Sequence, residues 1–235
     1  MCFQPKYDQL KSLVVSICLI LSMLVSCSFK SKVTGGNVSF ESLCGLTLQQ
    51  FESMNEEEAG QWMRKKHGEN ISSSTKQVGD SQNWVTIYKW EERPSTEVFY
   101  LKDEHPLHLS IFDIVDSPSF GEVVSGLGSP DTVYGNAEVY EQVLYSVDLD
   151  YPKLGISVGT SDLVNIPDVV HGNSWAIQLR ENMKVDYINC YKPRNSIEEV
   201  LRDVFLASPE SVQIQLERRT PWLGFASWVS LREMP

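Results

Sequence analysis

Polar and apolar positions change their period several times along the chain, and each change marks an element. The first block has no period at all: Leu13-Val14-Val15-Ser16-Ile17-Cys18-Leu19-Ile20-Leu21-Ser22-Met23-Leu24-Val25 is apolar apart from two serines. Helical spacing then appears behind capping signals. Thr47 with Gln50, and Asn55 with Glu58, each set an N-cap residue three positions ahead of the side chain that reciprocates it, so two short consecutive helices are predicted. In the second, Glu56, Glu57 and Glu58 occupy the first turn and Arg64, Lys65, Lys66 and His67 the last, with Gly68 as the stop. Both charge groups complement the helix dipole, and His67 is thereby explained without a catalytic role. Ala59, Trp62 and Met63 form the stripe that this helix buries.

The period then shortens to that of strands. Trp84 to Trp90, Glu97 to Lys102 and Leu107 to Val115 are dense in β-branched and aromatic residues, which predicts three strands of an antiparallel meander. Ser119 with Glu122 caps a helix of about two turns that carries Val123, Val124 and Leu127 and closes at Gly128, with Pro130 beyond. From Val143 to Tyr151 the alternation is clean. Val143, Tyr145, Val147, Leu149 and Tyr151 face one way, and Leu144, Ser146, Asp148 and Asp150 the other. Tyr151 to Gly155 makes a turn, Ile156 and Val158 start the return strand, and Trp175 to Leu179 and Met183 to Tyr191 extend the sheet. Ser196 with Glu199 caps another helix, Val212, Ile214 and Leu216 alternate once more, and the tail holds Trp222, Phe225 and Trp228. The sum is an α+β fold, an antiparallel sheet with short helices packed on one face. Strands and helices do not alternate at the length a nucleotide-binding parallel sheet requires.

Composition adds class and exclusions. A length of 235 residues with 42% hydrophobic and 22% charged side chains is ordinary for a globular chain and suits a single domain. The formal charge is −11, and the first 26 residues contribute only Lys6, Lys11 and Asp8, so the remainder carries −12. Such a surface repels phosphate backbones, and no nucleic-acid partner is expected.

Lys6 and Lys11 ahead of the apolar block, and small residues after it, give the layout of a secretory leader. The block is too short for a membrane span, which takes roughly 20 apolar residues. At its end Leu24-Val25-Ser26-Cys27 resembles the lipobox of bacterial lipoproteins. That resemblance implies cleavage between Ser26 and Cys27, lipid on Cys27, and export to the cell membrane or, in a diderm host, the outer membrane. Two or three acyl chains anchor stably where one does not. The expected organisation is a signal peptide over 1–26, a flexible tether over 27–43 containing Gly35-Gly36, and one α+β domain over 44–235. Once Cys2 and Cys18 leave with the leader and Cys27 is lipidated, Cys44 and Cys190 remain. A disulfide between them and two separate buried thiols both satisfy the sequence.

The stretch from Ser119 through Glu122, Val123, Leu127, Gly128, Ser129, Pro130 and Asp131, followed by a tyrosine-rich strand, resembles an element of small envelope lipoproteins of the SmpA/OmlA type and of β-lactamase-inhibitor-like domains. It covers about forty residues. The resemblance implies a non-catalytic envelope protein that binds a protein partner.

Sites of chemistry are sparse. Nucleophile-elbow, zinc-protease and phosphate-loop motifs do not occur, and no metal or cofactor is expected. Asp103-Glu104-His105-Pro106-Leu107-His108 is the one stretch with ligand-type residues, and it reads as a hairpin loop whose histidines diverge. Asp148 and Asp150 share a strand face and read as its wet side. Trp84, Tyr88 and Trp90, and again Trp222, Phe225 and Trp228, read first as core and second as the lining of a sugar or peptide groove. Two functions follow: a lipid-tethered binding or assembly module without an active site, or an envelope hydrolase or sugar-binding protein with a dispersed site drawn from Asp148, Asp150, His105 and His108.

Overall fold

A computed structural model describes residues 38–78, 83–92, 96–139, 141–171 and 174–233. The leader, the Ser26/Cys27 junction and the lipidation position at Cys27 lie outside the described residues.

The capping residues start the helices where their side chains direct. Helices α1 (Phe40–Cys44), α2 (Leu48–Ser53), α3 (Glu56–His67) and α4 (Phe120–Leu127) each begin with a reciprocal box: Ser39 with Ser42, Thr47 with Gln50, Asn55 with Glu58 and Ser119 with Glu122. Helix α1 corrects the expected tether, whose residues 40–43 are helical; Ser42 stands where Glu or Gln would signal a box, and so hides the cap. Helix α5 (Ile197–Glu199) runs on into a π-helical turn, Val200–Val204. Val212, Ile214 and Leu216 do not form a strand but lie in helix α6 (Pro209–Glu217). Ser208 caps that helix and Pro209 occupies its first turn, a stronger local signal than the alternation.

Strands β1 (Ile71–Gln77), β2 (Trp84–Trp90), β3 (Thr96–Lys102) and β4 (His105–Phe112) form one antiparallel meander, and β5 (Thr132–Val139), β6 (Val143–Tyr151) and β7 (Ile156–Val164) a second. β8 (Val170–His171), β9 (Ser174–Gln178) and β12 (Trp228–Ser230) make a separate small sheet. β10 (Tyr187–Tyr191) lies between β4 and β7, antiparallel to both, and fuses the two meanders. β11 (Arg219–Pro221) and β13 (Arg232–Glu233) add to β5, completing ten strands among the described residues. The fold is α+β with the sheet dominant. Asp103 and Glu104, both at positive φ, form the whole turn between β3 and β4, so His105 and His108 belong to a strand rather than to the expected loop.

Helices cover both faces of the sheet, not one. On the first face Phe99 and Leu109 pack with Phe51, Met63 and Phe120 of α2, α3 and α4. On the opposite face Tyr191 packs with Ile197, Val200, Leu201, Val204 and Val212, and Val98 with Leu206. Val98 and Phe99 are neighbours on one strand and must point to opposite sides, so each face of β3 needs its own cover. Two long-range ties hold the first face. Cys44 at the end of α1 is bonded to Cys190 on β10, across a Cα separation of 6.1 Å. Glu97 on β3, 2% exposed, takes Lys66 and His67 from the last turn of α3; His67 Nε2 lies 2.9 Å from its carboxylate and the ring stacks on Trp90 at 4.1 Å.

Candidate functional site

Register places two rows of side chains across β5, β6, β7 and β10. One row runs Thr132, Asp150 and Ser157; the next runs Tyr134, Asp148, Gly159 and Tyr187. In the first row Asp150 accepts from Thr132 Oγ1 at 3.0 Å, from Ser157 Oγ at 2.9 Å and from Arg219 Nε at 3.0 Å. Ser157 is also 3.0 Å from the Tyr191 hydroxyl. The Arg219 guanidinium lies 4.7 Å over the Tyr134 ring and donates to the Gln215 carbonyl. Asp150 is 1% exposed and the Arg219 side chain 7%.

In the second row Tyr187 donates its phenolic hydrogen to Asp148. The two reach each other only because Gly159 stands between them; a Cβ there falls 2.2 Å from Tyr187 Cζ and 2.4 Å from Asp148 Oδ1. Burial, reinforced by the Asp150 charge, pushes the Asp148 carboxyl up to about 7, against the Tyr187 hydrogen bond and Arg219. Burial raises the Tyr187 phenol well above its ordinary value, with Asp148 adding to the effect.

The acid pair is therefore not the wet face that alternation suggests. Helix α6 packs on this face through Val212, and β11, which follows it and pairs with β5, brings Arg219, a partner 69 residues from Asp150 that no local pattern marks.

The two histidines lie elsewhere. His105 is exposed at the start of β4, while His108 is buried between Tyr100, stacked at 4.2 Å, and Phe205, edge-on at 5.0 Å. Burial lowers the His108 pKa to about 3, against a hydrogen bond with the Val204 backbone. β10 and β7 separate β4 from β6, three strand spacings or about 14 Å. Asp148 and Asp150 thus come together, and His105 and His108 do not join them. Among the described residues no group of three or more His, Cys, Asp or Glu side chains is arranged to hold a metal.

The aromatic segments separate as well. Tyr88 lines an open depression of about 480 Å³ whose other walls are Asn55, Glu56, Glu57, Arg64 and Glu104. Trp222 and Phe225 pack edge to face at 5.1 Å beside the main core. Trp228, 45% exposed, lines a more enclosed cleft of about 390 Å³ between the ends of β6 and β7 and the small sheet. Tyr145 and Asp162 are paired residues on β6 and β7 and point into it from the same face of the main sheet. Gln178, directly opposite Trp228 on β9, faces them with Arg180 and Met183, and Asp168 and Val169 complete the lining. Carboxylates, an amide, a guanidinium and two aromatic rings thus surround one concave volume of small-molecule size. Of its residues, only Trp228 stood out in the sequence. Tyr145 carried the signal of a core position, and the others come from separate segments that only the sheet packing gathers. Compared with protein-family models, curated proteins and solved structures, the chain matches none.

Proposed function

We propose that the protein is a lipid-anchored binding module of the bacterial cell envelope, tethered through Cys27 and engaging its ligand in the cleft between Tyr145 and Trp228. The observation that carries the binding half is Trp228: a large ring left 45% exposed at the wall of a 390 Å³ cleft that also presents Gln178, Arg180 and Asp162. A recess that combines apolar walls with a few convergent polar groups is the usual form of a small-ligand site. The anchoring half rests on Leu24-Val25-Ser26-Cys27 behind an apolar block with a positive flank. The charge of the exported part sets the module apart from binders of anionic headgroups.

Expression in a bacterial host tests both halves. Intact mass should show a polypeptide beginning at Cys27 with diacylglyceryl and acyl additions, and Cys27→Ser should move the protein from the membrane to the soluble fraction. Crosslinking from Trp228 replaced by a photoreactive residue should trap a ligand of the envelope. An unmodified native product sinks the anchor, and crosslinks that form equally well from the far depression at Tyr88 sink the site.

A further inference from the structure

Resting on that reading of the cleft, we infer that its ligand is a saccharide, with a neutral or amine-bearing pyranose ring stacked on Trp228. A pyranose presents an apolar face of C–H groups and a rim of hydroxyls that both donate and accept. Its site therefore needs a flat, partly exposed ring beside mixed donors and acceptors. Trp228 provides the ring, held by pairing between β12 and β9 and 45% exposed. Asp162 and Asp168 accept, Arg180 donates, and the Gln178 amide does both.

Charge narrows the class. Asp162 and Asp168 outnumber Arg180 in the lining, and Asp186, fixed by Thr160 Oγ1 at 2.9 Å and the Ser161 amide at 2.7 Å, adds a third carboxylate near Tyr145. Asp162 and Asp186 both act on the Tyr145 phenol, raising its pKa beyond the effect of burial, with Arg180 opposing. A uronic acid or sugar phosphate enters that field at a cost, whereas hydroxyls and ammonium groups do not. A plain apolar ligand offers no hydrogen bond to the exposed Asp162, Asp168 and Arg180 and displaces their water. The 390 Å³ volume lies at the small end of the range for ligand pockets, which suits a short saccharide rather than a folded partner.

The test uses the full lipidated chain in detergent micelles, titrated with cellobiose, N,N′-diacetylchitobiose, chitosan dimer, galacturonic acid dimer and, as non-saccharide probes, trilysine and trileucine. Calorimetry and the change in tryptophan fluorescence report binding. At least one neutral or amine-bearing disaccharide should bind, and Trp228→Ala should weaken it roughly tenfold in protein that still melts cooperatively above the temperature of the titration. Asp162→Asn should weaken the same ligand, and the galacturonic acid dimer should bind more weakly than the neutral disaccharides. If trilysine or trileucine binds in a manner that depends on Trp228 while no saccharide does, the cleft stands as the site and the saccharide inference falls. If saccharide binding is untouched by both substitutions, or no probe binds at all, the cleft itself is overturned.

Discussion

Tyr187 lays its ring across Gly159 and donates its hydroxyl to Asp148, so a carboxyl on one strand is held by a phenol two strands away through a gap that a single missing side chain leaves open. Because the carboxyl is buried and stands beside Asp150, Asp148 keeps its proton near neutrality despite the Tyr187 hydrogen bond and Arg219.

That proton couples stability to pH. The folded pKa of Asp148, about 7, lies above its ordinary 3.8, so the folded state binds the proton more tightly than the unfolded chain does. Its contribution is fully present below pH 3.8 and is lost as pH rises towards 7. Asp148→Asn should therefore raise the unfolding free energy at pH 8 by roughly 2–4 kcal/mol. A urea midpoint at pH 8 that does not rise rules the coupling out.

His108 acts with the opposite sign. Its folded pKa of about 3 lies below the ordinary 6.5, so its contribution is present above pH 6.5 and is lost as pH falls through 6.5 towards 3. Between about pH 4 and 6.5 the two groups oppose each other, and the native protein should show a muted pH dependence there. Single variants separate them: Asp148→Asn should make stability climb with pH across this window, and His108→Gln should make it fall. Parallel urea titrations at pH 4.5, 5.5 and 6.5 read the two slopes, and equal slopes in both variants contradict the assignment.

Gly159→Ala should cost several kcal/mol, since the new methyl lies 2.2 Å from the Tyr187 ring and one side chain must leave the row. Tyr187→Leu in the same chain should recover part of the loss by clearing that contact. Thermal melts of the two variants show whether the clash or the backbone is responsible.

The bond from Cys44 to Cys190 closes a segment with a sequence separation of 146 and ties the first helix to the strand that joins the two meanders. Replacing both cysteines by serine should lower stability by roughly 2–5 kcal/mol. Reductant should lower the wild-type melting temperature and leave the double variant unchanged.

Glu97 sits beneath α3 with Lys66 and His67 against it. Glu97→Ala leaves Lys66 and His67 without the carboxylate they share and opens space under the helix, so a loss of roughly 2–3 kcal/mol is expected. Glu97→Gln should lose less, and hydrogen exchange should place the difference in the last turn of α3.

Local signals in the chain were sufficient for much of this architecture. The capping boxes at Thr47, Asn55 and Ser119, the Tyr151 to Gly155 turn and the inward phase of Val143, Tyr145, Val147, Leu149 and Tyr151 are set by neighbours within a few residues, and the fold realises each of them. The remaining features depend on residues far apart in the chain. The pairing of Cys44 with Cys190, the insertion of β10 between the meanders and the helices on the second face are of this kind. So are the burial of Asp148 and Asp150 beneath Tyr187 and Arg219, and the gathering of Tyr145, Asp162, Gln178 and Trp228 around one cleft. Strand alternation states that two side chains share a face but not what covers it, because the cover is chosen by long-range packing whose loop-closure entropy and burial energy leave no mark in the local period.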